Sequence, residues 1–184
     1  MSACGSYVLM GYLSTYFHVY LHMPLAKAYR LQTYFIILSL ILVPVFAYLC
    51  DRFGRKKLLL IAALGYVVLS APIFYAFQYN HSVGLLLPLI ILYSIEQAAT
   101  PVTIVEMFPA TGRYTGVSLA YNITMALVGG TAAFTNTCLI AYFNNPLIIA
   151  YYIISCALVS LGVVIAALPR TFGAAHDLTT YSNC

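Results

Sequence analysis

Residues 58–78 read LLLIAALGYVVLSAPIFYAFQ, a stretch without one charged side chain. Wound as a helix, a run of this length reaches about 30 Å, the thickness of the hydrocarbon layer of a bilayer. Five further stretches are nearly as apolar, so that six in all occupy about 3–22, 31–50, 58–78, 83–105, 115–142 and 147–168. Lipid offers no hydrogen bonds to a backbone, so a spanning segment must be a helix or belong to a closed barrel. A barrel would show short segments of alternating polarity, and these runs do not alternate. The expectation is an all-α membrane protein, six transmembrane helices in one bundle with no soluble domain.

Composition decides that lipid, rather than a protein core, receives these runs. Of 184 residues, 63% are hydrophobic and 7% charged, and mean hydropathy is +0.94. Soluble domains carry roughly 25% charged residues, and a domain of about 150 residues still leaves about a third of its surface in water. The net charge of +4 is small and scattered, which argues against a nucleic-acid partner. The first run lacks the basic flank and small-residue cleavage site of a signal peptide. The cysteines at 4, 50, 138, 156 and 184 show no paired metal-ligand spacing. They read as small packing residues, and no metal or cofactor is expected.

Six spans put both termini on one side, together with the loops at 51–57 and 106–114. That side holds Arg52, Arg55, Lys56, Lys57, Arg113 and Arg170, while the opposite loops hold only Lys27 and Arg30. The richer side is expected to be cytoplasmic, with residues 1–170 forming the membrane unit and 171–184 a short cytoplasmic tail. Seventeen tyrosines and no tryptophan suggest an interfacial belt built on tyrosine.

The densest charge cluster is CDRFGRKK at 50–57. A stop-transfer loop explains the basic residues but not the acid ahead of them. Asp51, at a helix end, can accept bonds from the turn or from a neighbouring helix N-terminus. Gly54 permits the positive φ of a very short turn.

This D-R-x-G-R-[RK] pattern (Asp51, Arg52, Gly54, Arg55, Lys56) resembles the loop signature of the major facilitator superfamily of transporters, found after the second helix of each six-helix half. The stretch EMFPATGRYTGVSLAYN at 106–122 is similar to that superfamily's E-x-F-P-x-x-x-R-Y-[ST]-G segment before the eleventh helix. Glu106, Pro109, Arg113 and Gly116 carry that likeness, which is nearest to the metabolite:proton symporter branch that includes proline/betaine and some dicarboxylate transporters. GGTAA at 129–133 fits the same branch. Two positions depart from the pattern: Ala47 stands where the loop signature has glycine, and Ala133 where a proline usually follows. The likeness runs from about residue 5 to 170. It implies helices seven to twelve of a twelve-helix secondary transporter, moving a small osmolyte or organic acid with a proton across a bacterial inner membrane. It also implies a half-length or truncated form, completed by a separate first half or by a second copy. The alternative is a membrane remnant or subunit that does not itself transport. No nucleophile–base pair or nucleotide loop supports an enzyme.

Polarity is uneven among the six runs. Gly11, Ser14, His18 and His22 share one face of the first, and Tyr93, Glu96, Thr100 and Thr103 one face of the fourth. Thr115, Asn122, Gly129 and Asn136 recur every two turns in the fifth. Polar stripes inside a membrane face a cavity or a neighbouring helix, so these three helices are expected to line something, with the third and sixth as lipid-facing supports. His18 and His22 supply two ligands, too few for a metal site. Pro88 and Pro101 are expected to bend the fourth helix.

Glu96 is the only acid deep in a span, where a charge costs about 2.5–3.5 kcal/mol on insertion scales. It can pair with a cation, or carry a proton because desolvation disfavours the charged form. It can also simply bond Gln97 or a tyrosine such as Tyr93 and hold helices together. Tyr121 and Asn122 could bond a carboxylate or ammonium substrate, or serve only as interhelical contacts.

Overall fold

The computed structural model of the chain describes residues 2–80, 82–108 and 112–167. Pro109, Arg170 and the expected tail at 171–184 lie outside the described residues. Every regular element among the described residues is helical. The elements group into six rods. The first, α1, joins Ser2–Gly5, a π-wound Ser6–Tyr12 and Leu13–Val19. Next come α2, Leu25–Phe53, and α3, Arg55–Tyr79. A 3₁₀ turn at Val83–Leu86 leads into α4, Leu87–Met107. The fifth rod, α5, joins Arg113–Thr124, a π-wound Met125–Gly129 and Gly130–Phe143; α6 is Ile148–Ala167. Five of the rods, α2 to α6, are long and apolar enough to cross a membrane.

At the helix boundaries, charges expected in loops lie on helical turns. Helix α2 starts after Pro24, whose ψ of 133° sets the entry, so Lys27 and Arg30 lie on helical turns instead of in a connection. Likewise Arg55, Lys56 and Lys57 are the first turn of α3. The whole link between α2 and α3 is Gly54, at φ 90° and ψ 129°, a conformation that only glycine adopts freely.

Helix α1 sits at the centre of the bundle. Cys4, Val8, Leu9, Leu13, Tyr16 and Phe17 are all fully buried. Its aromatic end packs on α3, with Phe17 stacked on Phe77 at 4.7 Å and Tyr16 edge-on to Phe74 at 5.7 Å. π winding disturbs the i→i−4 ladder and leaves carbonyls to be satisfied elsewhere. Gln32 of α2 does this, donating from Nε2 to the carbonyls of Leu9 at 3.1 Å and Met10 at 2.9 Å.

The assignment of supports needs correcting. Helix α3 is more than a lipid-facing prop: Ile61, Leu64 and Val68 are exposed, but it also packs on both α4 and α6 and buries Leu58, Ala62, Ala63, Tyr66, Ser70, Ile73, Phe74 and Phe77. Those positions recur at spacings of three and four, a stripe hidden from composition because the helix is apolar all round. The most outward of the five long helices is α2, which buries the smallest share of its apolar length and leaves Leu40, Ile41 and Tyr48 exposed. Pro88 also differs from expectation, since it stands in the first turn of α4, where its missing N–H costs nothing. Pro101 does lie inside that helix.

Candidate functional site

The candidate residues fall into two separate groups. The first joins the two sequence motifs at one end of the bundle. Arg55 opens α3, and its guanidinium meets Asp51 at the end of α2 at 3.1 Å. Through its other terminal nitrogen it pairs with Glu106 in the last turn of α4. The Arg55 side chain is mostly buried, whereas Asp51 is largely exposed and Glu106 half-exposed. Asp51 thus finds its partner one turn away on Arg55, and not at the N-terminus of another helix. Arg52 projects over the Phe53 ring at 5.9 Å. Arg113, at the start of α5, donates from Nε to the Phe108 carbonyl at 3.1 Å, tying the end of α4 to the next helix. Gly116 faces the Phe108 ring so closely that a Cβ there would clash with it. Asp51, Arg55, Glu106, Phe108, Arg113 and Gly116 therefore make one fastening across α2, α3, α4 and α5.

The second group lies midway along α4. Gln97 donates from Nε2 to Ser6 Oγ at 2.6 Å and to Tyr93 Oη at 2.5 Å, and accepts from Ser2 Oγ at 3.3 Å. Two of these partners belong to α1, so one amide clamps α1 to α4. Glu96 is 2% exposed, and neither of its carboxyl oxygens has a hydrogen-bond partner among the described residues. Gly5 of α1 lies against it, where an added Cβ would come 3.2 Å from Oε2. Tyr66 Oη of α3 is buried and similarly unpartnered. A cavity of about 160 Å³ adjoins the carboxyl, lined among others by Ser2, Tyr66, Thr100, Thr103 and Ser160.

The α4 stripe consequently points into the six-helix unit, with Tyr93, Glu96 and Thr103 all buried, and does not look outward as a lining for a facing partner. On α1 the reverse holds: Gly11 and His18 are exposed and Ser14 half-buried. His18 donates from Nδ1 to the Met23 carbonyl at 2.9 Å, and His22 occupies the turn beyond the helix at φ 51°.

On α5 the two-turn stripe splits. Thr115 and Asn122 are exposed, Gly129 and Asn136 buried, because the π-wound segment between them shifts the helical phase. Asn122 bonds back to the Ser118 carbonyl at 2.8 Å. Tyr121 is half-exposed and lines a second cavity of about 300 Å³ with Ser2, Thr100, Ala120, Thr124 and Met125. Sequence reasoning missed Gln32, Ser2 and Ser6. No motif marks them, and only the π winding of α1 and the position of Gln97 give them partners.

Residues 2–181 match the protein family described as Sugar (and other) transporter. The proline/betaine transporter of Escherichia coli (strain K12) is 30% identical over 159 residues, 84% of this chain and 31% of the relative. A Staphylococcus aureus (strain COL) protein named for proline/betaine transport is 26% identical over 162 residues, 86% of this chain and 35% of the relative. The shikimate transporter of Escherichia coli (strain K12) is 30% identical over 128 residues, 67% of this chain and 29% of that protein. The chain therefore spans about a third of the length of these relatives. No solved structure matches it. With five helices long and apolar enough to cross a membrane, both loop motifs joined through Arg55, and a family match over nearly its whole length, the chain belongs to the sugar (and other) transporter family of the major facilitator superfamily.

Proposed function

We propose that residues 1–170 act as the second six-helix half of a proton-coupled secondary transporter for a small osmolyte or organic acid, of the proline/betaine or dicarboxylate kind. The observation that carries this reading is the polar surface left outside the bundle. Gly11 and His18 of α1 and Thr115, Ser118 and Asn122 of α5 are exposed, the last three on a helix otherwise apolar enough to cross a membrane. Lipid gains nothing from such groups, whereas a facing half with a polar substrate between would use them. The names of the relatives supply the substrate class, and the basic loops supply the orientation, with both termini in the cytoplasm of a bacterial cell.

The deciding experiment is uptake of labelled proline, betaine and a dicarboxylate into proteoliposomes. It is run with this chain alone and with a matching first half co-reconstituted, with and without an inward proton gradient. Gradient-driven uptake that needs both halves is the expected result. No uptake in either arm would instead favour the alternative, a membrane subunit or remnant that does not transport. The coverage of only about a third of each relative keeps that alternative in view.

A further inference from the structure

We propose that Cys4 and Cys156 are a dithiol oxidation site for membrane-soluble organic hydroperoxides, whose disulfide product staples α1 to α6. The inference goes beyond the transporter reading and stands whether or not the chain transports.

The two cysteines come from opposite ends of the chain and meet inside the bundle. Cys4 lies in Ser2–Gly5, the first stretch of α1, which touches α6. Its thiol is within hydrogen-bonding reach of the Cys156 thiol, and the two side chains pack in one hydrophobic cluster. Both are free thiols. The surroundings are small: Ala3 and Gly5 flank Cys4, Ala157 follows Cys156, and all three are buried. Small residues at a crossing let helix backbones come close. A disulfide needs that, since its Cβ atoms stand only about 3.5–4.5 Å apart.

Unequal burial sets the order of events. Cys4 is fully buried, whereas Cys156 is half-buried, on a helix that leaves Ser155, Leu158 and Val159 exposed. The exposed side of a helix this apolar faces lipid. An oxidant dissolved in the bilayer therefore reaches Cys156 first, and Cys4 waits behind it as the resolving thiol. The Tyr152 hydroxyl, one turn away, is also within hydrogen-bonding reach of the Cys156 sulfur, placed to donate to an oxygen leaving the peroxide.

In the first step the hydroperoxide ROOH gives its terminal oxygen to the Cys156 sulfur. The O–O bond breaks, the sulfur becomes a sulfenic acid, S–OH, and the thiol proton leaves with the alcohol ROH. The Cys4 sulfur then attacks the Cys156 sulfur. An S–S bond forms, the S–O bond breaks, and the hydroxyl departs with the Cys4 proton as water. The peroxide has gained two electrons and the two thiols have lost them. The resulting staple acts on the central helix. Helix α1 is already held to α4 where Gln97 bonds Ser2 and Ser6, and further along it exposes Gly11 and His18. Oxidation adds a covalent tie to α6.

Peptide mapping tests the pair without requiring transport. Native membranes holding the wild-type chain are treated with cumene hydroperoxide or, at equal concentration, with hydrogen peroxide. Remaining thiols are blocked with N-ethylmaleimide in denaturant, and chymotryptic peptides are read by mass spectrometry. The expected product is a Cys4 peptide joined to a Cys156 peptide, lighter by two hydrogens and released by dithiothreitol. It should form several-fold faster with the apolar peroxide, and the midpoint of thermal unfolding should rise by several degrees. In Cys4→Ser, dimedone should trap a sulfenic acid on Cys156; in Cys156→Ser it should trap none on Cys4. Tyr152→Phe should slow the link without abolishing it. Phenylarsine oxide, which bridges neighbouring thiols and needs no oxidation, should shield both cysteines of the untreated chain from later maleimide labelling. No linked peptide with either peroxide, or Cys156 joined instead to Cys50 or Cys138, would overturn the proposal. So would hydrogen peroxide acting as fast as the apolar reagent. Bridging by phenylarsine oxide without any peroxide-driven link would overturn it as well, leaving a thiol contact that hydroperoxides do not use.

Discussion

Arg55 holds two carboxylates at once, and they are not equivalent. Its side chain is 13% exposed, that of Glu106 41% and that of Asp51 69%. Water screens the Asp51 pair most, and exposed pairs are worth about 0–1 kcal/mol. Asp51→Asn is therefore expected to lower thermal stability in detergent only slightly, Glu106→Gln more, and Arg55→Ala most. The last should cost on the order of 1 kcal/mol or a little above. Arg55→Lys should recover less than half of that loss, since one ammonium cannot serve two carboxylates on different helices as a fork does. Equal losses for Asp51→Asn and Glu106→Gln would show that burial does not set the strength of this junction. At the residue scale much was legible in the sequence. An acid ahead of a basic run and a second acid fifty-five residues later are odd in a chain with so few charges, and oddity in a sparse background is easy to see. The partner of Asp51 was not legible, because a helix N-terminus and an arginine one turn away are equally good donors to a carboxylate until the turn geometry is known.

At the scale of elements the decisive contacts are close approaches between helices. A Cβ added to Gly65 of α3 would collide with Leu92 of α4, and one added to Gly129 of α5 with the ring of Tyr7 of α1. The two clashes differ in what can yield. Leu92 is 6% exposed and hemmed in, while Tyr7 is 44% exposed and can swing outward. Gly65→Ala is thus expected to destabilise by about 1–3 kcal/mol, the usual range for overpacking, and Gly129→Ala by clearly less. Thermal unfolding of the two variants in the same detergent checks the order, and a larger loss at Gly129 would mean that Tyr7 is fixed by something outside this chain.

A second element-scale expectation concerns the clamp between α1 and α4. Gln97→Leu removes the bonds to Ser2, Ser6 and Tyr93 at an expected ~1–2 kcal/mol. It should also raise protease or thiol-reagent access along α1, which a cysteine at Ser6 would report. Helix existence was legible from the apolar runs, yet helix roles were not. Periodicity shows that Tyr93, Glu96, Thr100 and Thr103 share a face, but not whether that face meets a neighbour in the same bundle or one beyond it. Where a helix is apolar all round, as α3 is, the inward stripe leaves no mark in sequence. The phase break in α5 is likewise silent, because π winding changes no residue type.

For the whole molecule, the question is what becomes of the outward polar face when this chain stands by itself. Leaving a polar group unsatisfied in hydrocarbon costs several kcal/mol, which would at first sight forbid a stable lone bundle. The structure lowers that cost, because the side chains bond within their own helix. Asn122 donates to the Ser118 carbonyl, Thr124 to Ala120, Thr131 to Leu127 and Thr137 to Ala133. Glu96, the costliest group, is inside the unit and away from lipid altogether. The lone chain is therefore expected to insert and fold, so that its shortfall is functional and not structural. Alternating access comes from one six-helix bundle rocking against another around a site near the midplane, and a single bundle offers a substrate one wall only. Reconstituted alone, the chain should show no uptake above protein-free liposomes. Cysteines placed at Thr15 of α1 and Asn122 of α5, both exposed, should cross-link to a co-expressed first half in preference to a second copy. Proton-driven uptake by the purified chain with no other subunit would refute this account of the molecule. Cross-links confined to copies of the same chain would identify a homodimer as the assembly that covers the face.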